Sequence, residues 1–183
     1  YTLGSTSSQN VPFIPHAKGD YQVSNITYDA NGNLLSLNRN GYTKAGQTNV
    51  MDRMNYRYKA NNKGQRTDNK LRSINDVSHR NVYADVSNQS ADNYRYNAIG
   101  QLQHNAQEGH YYTYDAYGLV TGVYKDAYYT QPVAKYDYDD RGFRIKKQVF
   151  SGGTLAAATT YYVRDASGHV LSVYEKEGAG SVK

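Results

Sequence analysis

Apolar and polar residues alternate along this chain in short runs. Tyr94-Arg95-Tyr96 and Tyr136-Asp137-Tyr138 place rings at every second position, which puts them on one face of an extended strand. Each run ends in a small polar cluster closed by glycine. Aligned on that glycine, Tyr28-Asp29-Ala30-Asn31-Gly32 recurs as Tyr96-Asn97-Ala98-Ile99-Gly100, Tyr114-Asp115-Ala116-Tyr117-Gly118 and Tyr138-Asp139-Asp140-Arg141-Gly142. A fifth copy, Arg164-Asp165-Ala166-Ser167-Gly168, has Arg in the place of the tyrosine. The common pattern is Tyr-[Asp/Asn]-x-x-Gly.

That spacing describes a turn. An Asp or Asn at its start accepts a hydrogen bond from the backbone N–H two residues on. The next two positions of a type I turn need no special side chain, and the fourth falls in the left-handed region, where glycine carries no Cβ penalty. A type I turn followed by a left-handed glycine is a favoured hairpin connection with a bulge. Six residues before each glycine stand Ile26, Tyr94, Tyr112, Tyr136 and Tyr162. Two residues after it stand Leu34, Leu102, Val120, Arg144 and Val170, and Leu37, Val123 and Val173 lie five after their glycines. Each unit therefore reads strand, turn, strand, and the chain reads as an all-β strip of consecutive antiparallel hairpins.

The strip is expected over residues 21–175, with irregular loops near 43–49, 60–70 and 75–93. Tyr56-Arg57-Tyr58 and Leu71-Arg72-Ser73-Ile74 mark a degenerate unit on either side of the second loop. Residues 1–20 hold Pro12 and Pro15 without periodicity and read as an extended lead-in; residues 176–183 read as a flexible C-terminal end. The first residue is Tyr1 rather than Met, so the expectation is a piece of a longer polypeptide.

Composition explains how such a strip could hold together. Leu, Ile, Val and Phe make up only 31 of 183 residues, but there are 21 tyrosines. Tyr favours strands, and the 17 Asn and 16 Gly favour turns. No apolar run approaches the length of a membrane helix. With no cysteine there is neither a disulfide nor a thiolate zinc site. A net charge of +5, with no basic block longer than Lys146-Lys147, argues against nucleic acid.

Five units in register resemble the YD repeats of RHS-repeat proteins and the related teneurins. Tyr28 to Leu34 and Thr160 to Val170 look especially like bacterial RHS proteins of the secreted Bacteroidota type. The resemblance spans about Ile26 to Tyr174. It implies an arc of an RHS-type shell, a secreted or cell-surface location, and a scaffold that encloses or displays another part of its parent, in many members a C-terminal toxin. Partners implied are other RHS segments, the enclosed toxin or a secretion apparatus. No core-ending cleavage motif of the Asp-Pro-x-Gly kind is present.

Candidate chemistry is sparse. Asp29, Asp115, Asp139 and Asp165 recur at turn starts, where capping explains them better than calcium, whose loops need a denser acidic spacing. Asn97 takes the same place. His16, His79, His104, His110 and His169 lack metal-site spacing, although His104 and His110 could meet across neighbouring strands. No nucleophile elbow or phosphate loop appears. The reading is a non-enzyme without catalytic, cofactor or metal residues, its special positions being the turn residues Tyr28, Asp29, Gly32, Tyr96, Asn97, Gly100, Tyr114, Asp115, Gly118, Tyr138, Asp139, Gly142, Asp165 and Gly168. The alternative is a module that binds carbohydrate or protein through aromatic faces or strand edges.

Overall fold

The computed structural model describes residues 19, 21–41, 50–78, 86, 88–153 and 155–181. Among these residues the protein is all-β, with no helix. The strands are β1 (Val23–Tyr28), β2 (Leu34–Asn40), β3 (Val50–Ala60), β4 (Arg66–Asp76), β5 (Tyr94–Tyr96), β6 (Leu102–Asn105), β7 (His110–Tyr114), β8 (Val120–Tyr124), β9 (Pro132–Tyr138), β10 (Arg144–Val149), β11 (Ala158–Arg164) and β12 (Val170–Glu177). They form two antiparallel sheets in simple chain order, a four-stranded one from β1 to β4 and an eight-stranded one from β5 to β12. The chain divides into two compact units, Tyr1–Asn55 with Asn75–Asn88, and Tyr56–Ile74 with Gln89–Lys183.

One irregularity recurs in five hairpins. The residue three places after the glycine is left over on the second strand: Leu35, Gln103, Thr121, Ile145 and Leu171. An extra residue resets the alternation of side chains. It explains why Val120 and Val123, three apart, share a face, opposite Tyr114 and Tyr112 respectively. Val170 and Val173 stand likewise opposite Arg164 and Tyr162.

The second loop differs from its sequence reading. Strand β3 runs to Ala60 and β4 begins at Arg66, so only residues 61–65 turn. Asn61-Asn62-Lys63-Gly64 makes the same capped turn as the other five: the Asn61 side chain accepts the N–H groups of Lys63 and Gln65, and Gly64 has φ +75°. Alternating polar residues in Arg66–Lys70 were compatible with a loop, but an 11-residue partner strand pairs them. Asn75 and Asp76 likewise belong to β4, and Lys176 and Glu177 to β12. The expected lead-in (except Gly19 in its turn), the loop at 43–49 and most of 79–87 lie outside the described residues.

Burial is thin. Met54, Ile74, Ala134, Phe150 and Ala156 are the buried apolar residues among those described, and no tyrosine is with them. The ladder tyrosines Tyr94, Tyr96, Tyr112, Tyr114, Tyr136, Tyr138 and Tyr162 are half-buried. Stability therefore comes from backbone ladders and from rings covering their neighbours, where a ring pair adds about 0.5–1.5 kcal/mol.

Candidate functional site

The recurrent chemistry lies along one row of turns. Asp29, Asp115, Asp139 and Asp165 each use Oδ1 to accept the N–H groups two and four residues on, at 2.7–3.0 Å. In the same turns the glycine N–H donates to the carbonyl of that Asp. Asn97 repeats the device with Gln101 N–H, at 2.9 Å. Glycines 32, 100, 118, 142 and 168 have φ between +81° and +96°. The carboxylates are thus engaged with backbone. Asp165 is held below the ordinary carboxylate value: desolvation is the largest single influence and raises it, but the N–H and ring of His169 and the N–H groups of Ser167 and Gly168 together outweigh it.

In three of the turns the residue just before the Asp has its own task. Tyr114 Oη donates to Leu102 O at 2.8 Å, and Tyr138 Oη donates to Val120 O at 2.8 Å. Arg164 takes over in the fifth unit: its Nε donates to Arg144 O at 3.1 Å. In all three cases the acceptor is the carbonyl two residues after the preceding turn glycine. The side chain four residues before one glycine thus staples its hairpin to the one before. Arg164 Nη1 also donates to Gly168 O at 2.7 Å, and its guanidinium lies over the rings of Phe143 and Tyr162.

A second contact follows the same step. The residue after one glycine packs beside the next: Gln101 at Gly118, Leu119 at Gly142 and Phe143 at Gly168. At Gly168 an added Cβ would overlap the Phe143 ring. Arg141, also stacked on Phe143, donates to Ala166 O. Register agrees in these three junctions of the eight-stranded sheet: the residue four after a glycine stands opposite the one seven before the next, as His104 with Tyr111, Gly122 with Lys135 and Lys146 with Tyr161.

The histidine pair is not assembled. His104 stands opposite Tyr111 and stacks on its ring at 4.2 Å, while His110 stands opposite Asn105, one step along and so on the other face. Burial, then Arg95, push the His104 imidazole below its ordinary value. His169 lies 3.1 Å from Asp165. His16 and His79 lie outside the described residues. Asp137 pairs with Lys146 at 2.5 Å, while Asp139 caps its turn. Among the described residues no group of three metal-ligating side chains forms.

Sequence reasoning missed one cap at the far end of the sheet. Asp126 accepts the N–H groups of Tyr128, Thr130 and Gln131, at 2.6–3.2 Å. Its loop puts Tyr129 where the other turns put glycine, at φ +60°. A tyrosine there costs about 1–2 kcal/mol, offset by an edge-to-face contact with Tyr124 at 5.4 Å. The signal was Asp126-Ala127-Tyr128-Tyr129, the same motif without its glycine. Among the described residues the aromatic side chains that stand out furthest are at loop tips: Tyr117 and Tyr128, each 87 % exposed. No family model matches this chain, and no curated protein matches it.

Proposed function

We propose that this chain is a structural segment of a YD/RHS-type repeat wall in a secreted or cell-surface bacterial protein, enclosing or displaying another part of its parent polypeptide. The observation that carries the reading is the staple: Tyr114, Tyr138 and Arg164 join successive hairpins by one bond at one register. A device repeated at three successive junctions of one sheet can extend a wall by further units, as in other repeat proteins whose units contact mainly their neighbours. The recurring turn carboxylates Asp115, Asp139 and Asp165 accept backbone hydrogen bonds, which supports a structural role for them. The test is protease protection in the full-length parent. The remainder of the polypeptide is expected to resist protease when this segment is present and to be digested when it is deleted. Equal digestion in both forms overturns the reading.

A second reading, recognition of a glycan or protein by aromatic side chains, is favoured by the outward rings of Tyr117 and Tyr128. Binding lost in the doubly substituted Tyr117→Ala/Tyr128→Ala chain would support it.

A further inference from the structure

One row of residues runs straight across four strands of the eight-stranded sheet. Lys135 on β9 stands opposite Gln148 on β10, Gln148 opposite Thr159 on β11, and Thr159 opposite Lys176 on β12. These four line a recess of about 280 Å³ together with Phe150 and Tyr161. Phe150 is buried and forms an apolar part of the lining, with Lys135 Nζ 5.7 Å from its ring centre.

The charge in this recess is unmatched. In the next row along the same strands, Lys146 is neutralised by Asp137 at 2.5 Å. Lys135 and Lys176 have no carboxylate partner among the described residues, and neither the Gln148 amide nor the Thr159 hydroxyl has a protein hydrogen-bond partner there. Glu175 and Glu177 neighbour Lys176 in sequence, but strand alternation turns them to the other face. The row thus offers two ammonium groups at its ends and two neutral donors between them.

We propose that this row binds an acidic polypeptide segment in extended conformation, with carboxylates at positions i and i+4. Three strand spacings of about 4.8 Å separate the lysine-bearing strands by about 14 Å. In an extended chain, residues i and i+4 share a face and lie about 14 Å apart, at about 3.4 Å per residue. The side chain of residue i+2, on the same face as the two carboxylates, stands over the Gln148 amide and the Thr159 hydroxyl. Phe150 and Tyr161 supply apolar surface for the intervening side chains. The inference is independent of the wall reading, since it concerns one recess rather than the stacking of hairpins.

The test is fluorescence anisotropy of the whole chain with short dye-labelled peptides of neutral sequence carrying two Asp. The i, i+4 peptide is expected to bind. Lys135→Gln and Lys176→Gln are each expected to weaken it about tenfold, the scale of one charge-assisted hydrogen bond. Lys135→Arg should retain affinity. Lys147→Gln removes the same charge from the tyrosine face and should leave binding unchanged, with thermal melts confirming that each variant is folded. The proposal is overturned by no binding, by equal binding of a peptide with adjacent Asp residues, or by tighter binding of an oligogalacturonate. Equal weakening by Lys147→Gln would also overturn it.

Discussion

Where β6 meets β7, β8 meets β9 and β10 meets β11, a side chain four residues before one turn glycine bonds the carbonyl two residues after the previous one. Where β2 meets β3, the corresponding position is Ala60, which has nothing to donate from its side chain. The register differs as well. Ser36, four after Gly32, stands opposite Asn55, which is nine before Gly64 rather than seven. A slip of two residues leaves every side chain on its original face, so the apolar pattern alone does not distinguish the two registers. The staple does. In its absence the four-stranded sheet uses a local ion pair instead: Arg39 stands opposite the fully buried Asp52 and bonds it. Beside it, the Arg53 guanidinium donates to the carbonyls of Asp52 and Arg39 and to the Asn40 side chain.

The largest effect is expected at that ion pair. Arg39→Ala leaves the Asp52 carboxylate buried without its partner and should cost about 3–5 kcal/mol in urea denaturation. Replacing both partners, Arg39→Met with Asp52→Leu, should recover most of the loss, because the desolvated charge disappears with its partner. A single variant that loses less than about 1 kcal/mol would mean that the pair does not set this junction.

Next comes a pair of glycine substitutions that separates backbone strain from packing. Gly32 and Gly168 have similar φ, +81° and +90°. Beside Gly32 there is open space, whereas a Cβ at Gly168 meets Phe143. Gly32→Ala should therefore cost only the left-handed strain of about 1–2 kcal/mol. Gly168→Ala should cost about 1–3 kcal/mol more for the overlap. Equal losses would show that Phe143 moves aside freely and that packing between successive turns does not tighten the stack.

The staple itself is a smaller term. Tyr138→Phe removes the bond to Val120 O and should cost about 1 kcal/mol, with hydrogen exchange accelerated at the β8–β9 junction. Tyr28 occupies the same place in the first hairpin, on a sheet edge and 61 % exposed. Tyr28→Phe should fall within about 0.5 kcal/mol of the parent, as surface changes usually do. If both variants behave alike, the hydroxyl bonds do not distinguish the junctions.

Much of the eight-stranded sheet could be read from the chain, because its information is local. An Asp or Asn, two free positions and a glycine specify a turn within five residues, and alternating tyrosines specify the strand before it. The spacing of three between Val120 and Val123 also encoded the extra residue at Thr121, although the pattern by itself gives no reason for a break in alternation. What was not legible is non-local. The register between hairpins depends on Tyr114 reaching Leu102, and the row from Lys135 to Lys176 exists only once β9 to β12 are paired. The turn at Asn61 was missed because Ala60 stands where the tyrosine is expected. The Asp126 loop was missed because Tyr129 stands where glycine is expected.

The turns are where the two sheets agree, and that agreement gives the smallest effect. Asp29 in one sheet and Asp165 in the other accept the same two backbone N–H groups, and the side chain after each glycine, Asn33 or His169, reaches back to the same carboxylate. Hydrogen bonds to the charged form depress the Asp165 pKa below its ordinary 3.8, against the opposing pull of desolvation. The folded state thus holds on to its charge at lower pH than the unfolded chain does. The contribution is fully present above pH 3.8 and is lost as pH falls through the depressed value. Asp165→Asn keeps an acceptor for Ser167 and His169 but removes the titration. At neutral pH its melting temperature should lie close to the parent's. Below pH 3.8 the parent should lose stability more steeply than the variant. Parallel acid profiles would mean that the cap acts only as a neutral acceptor, and the differences between the sheets would then rest on their junctions alone.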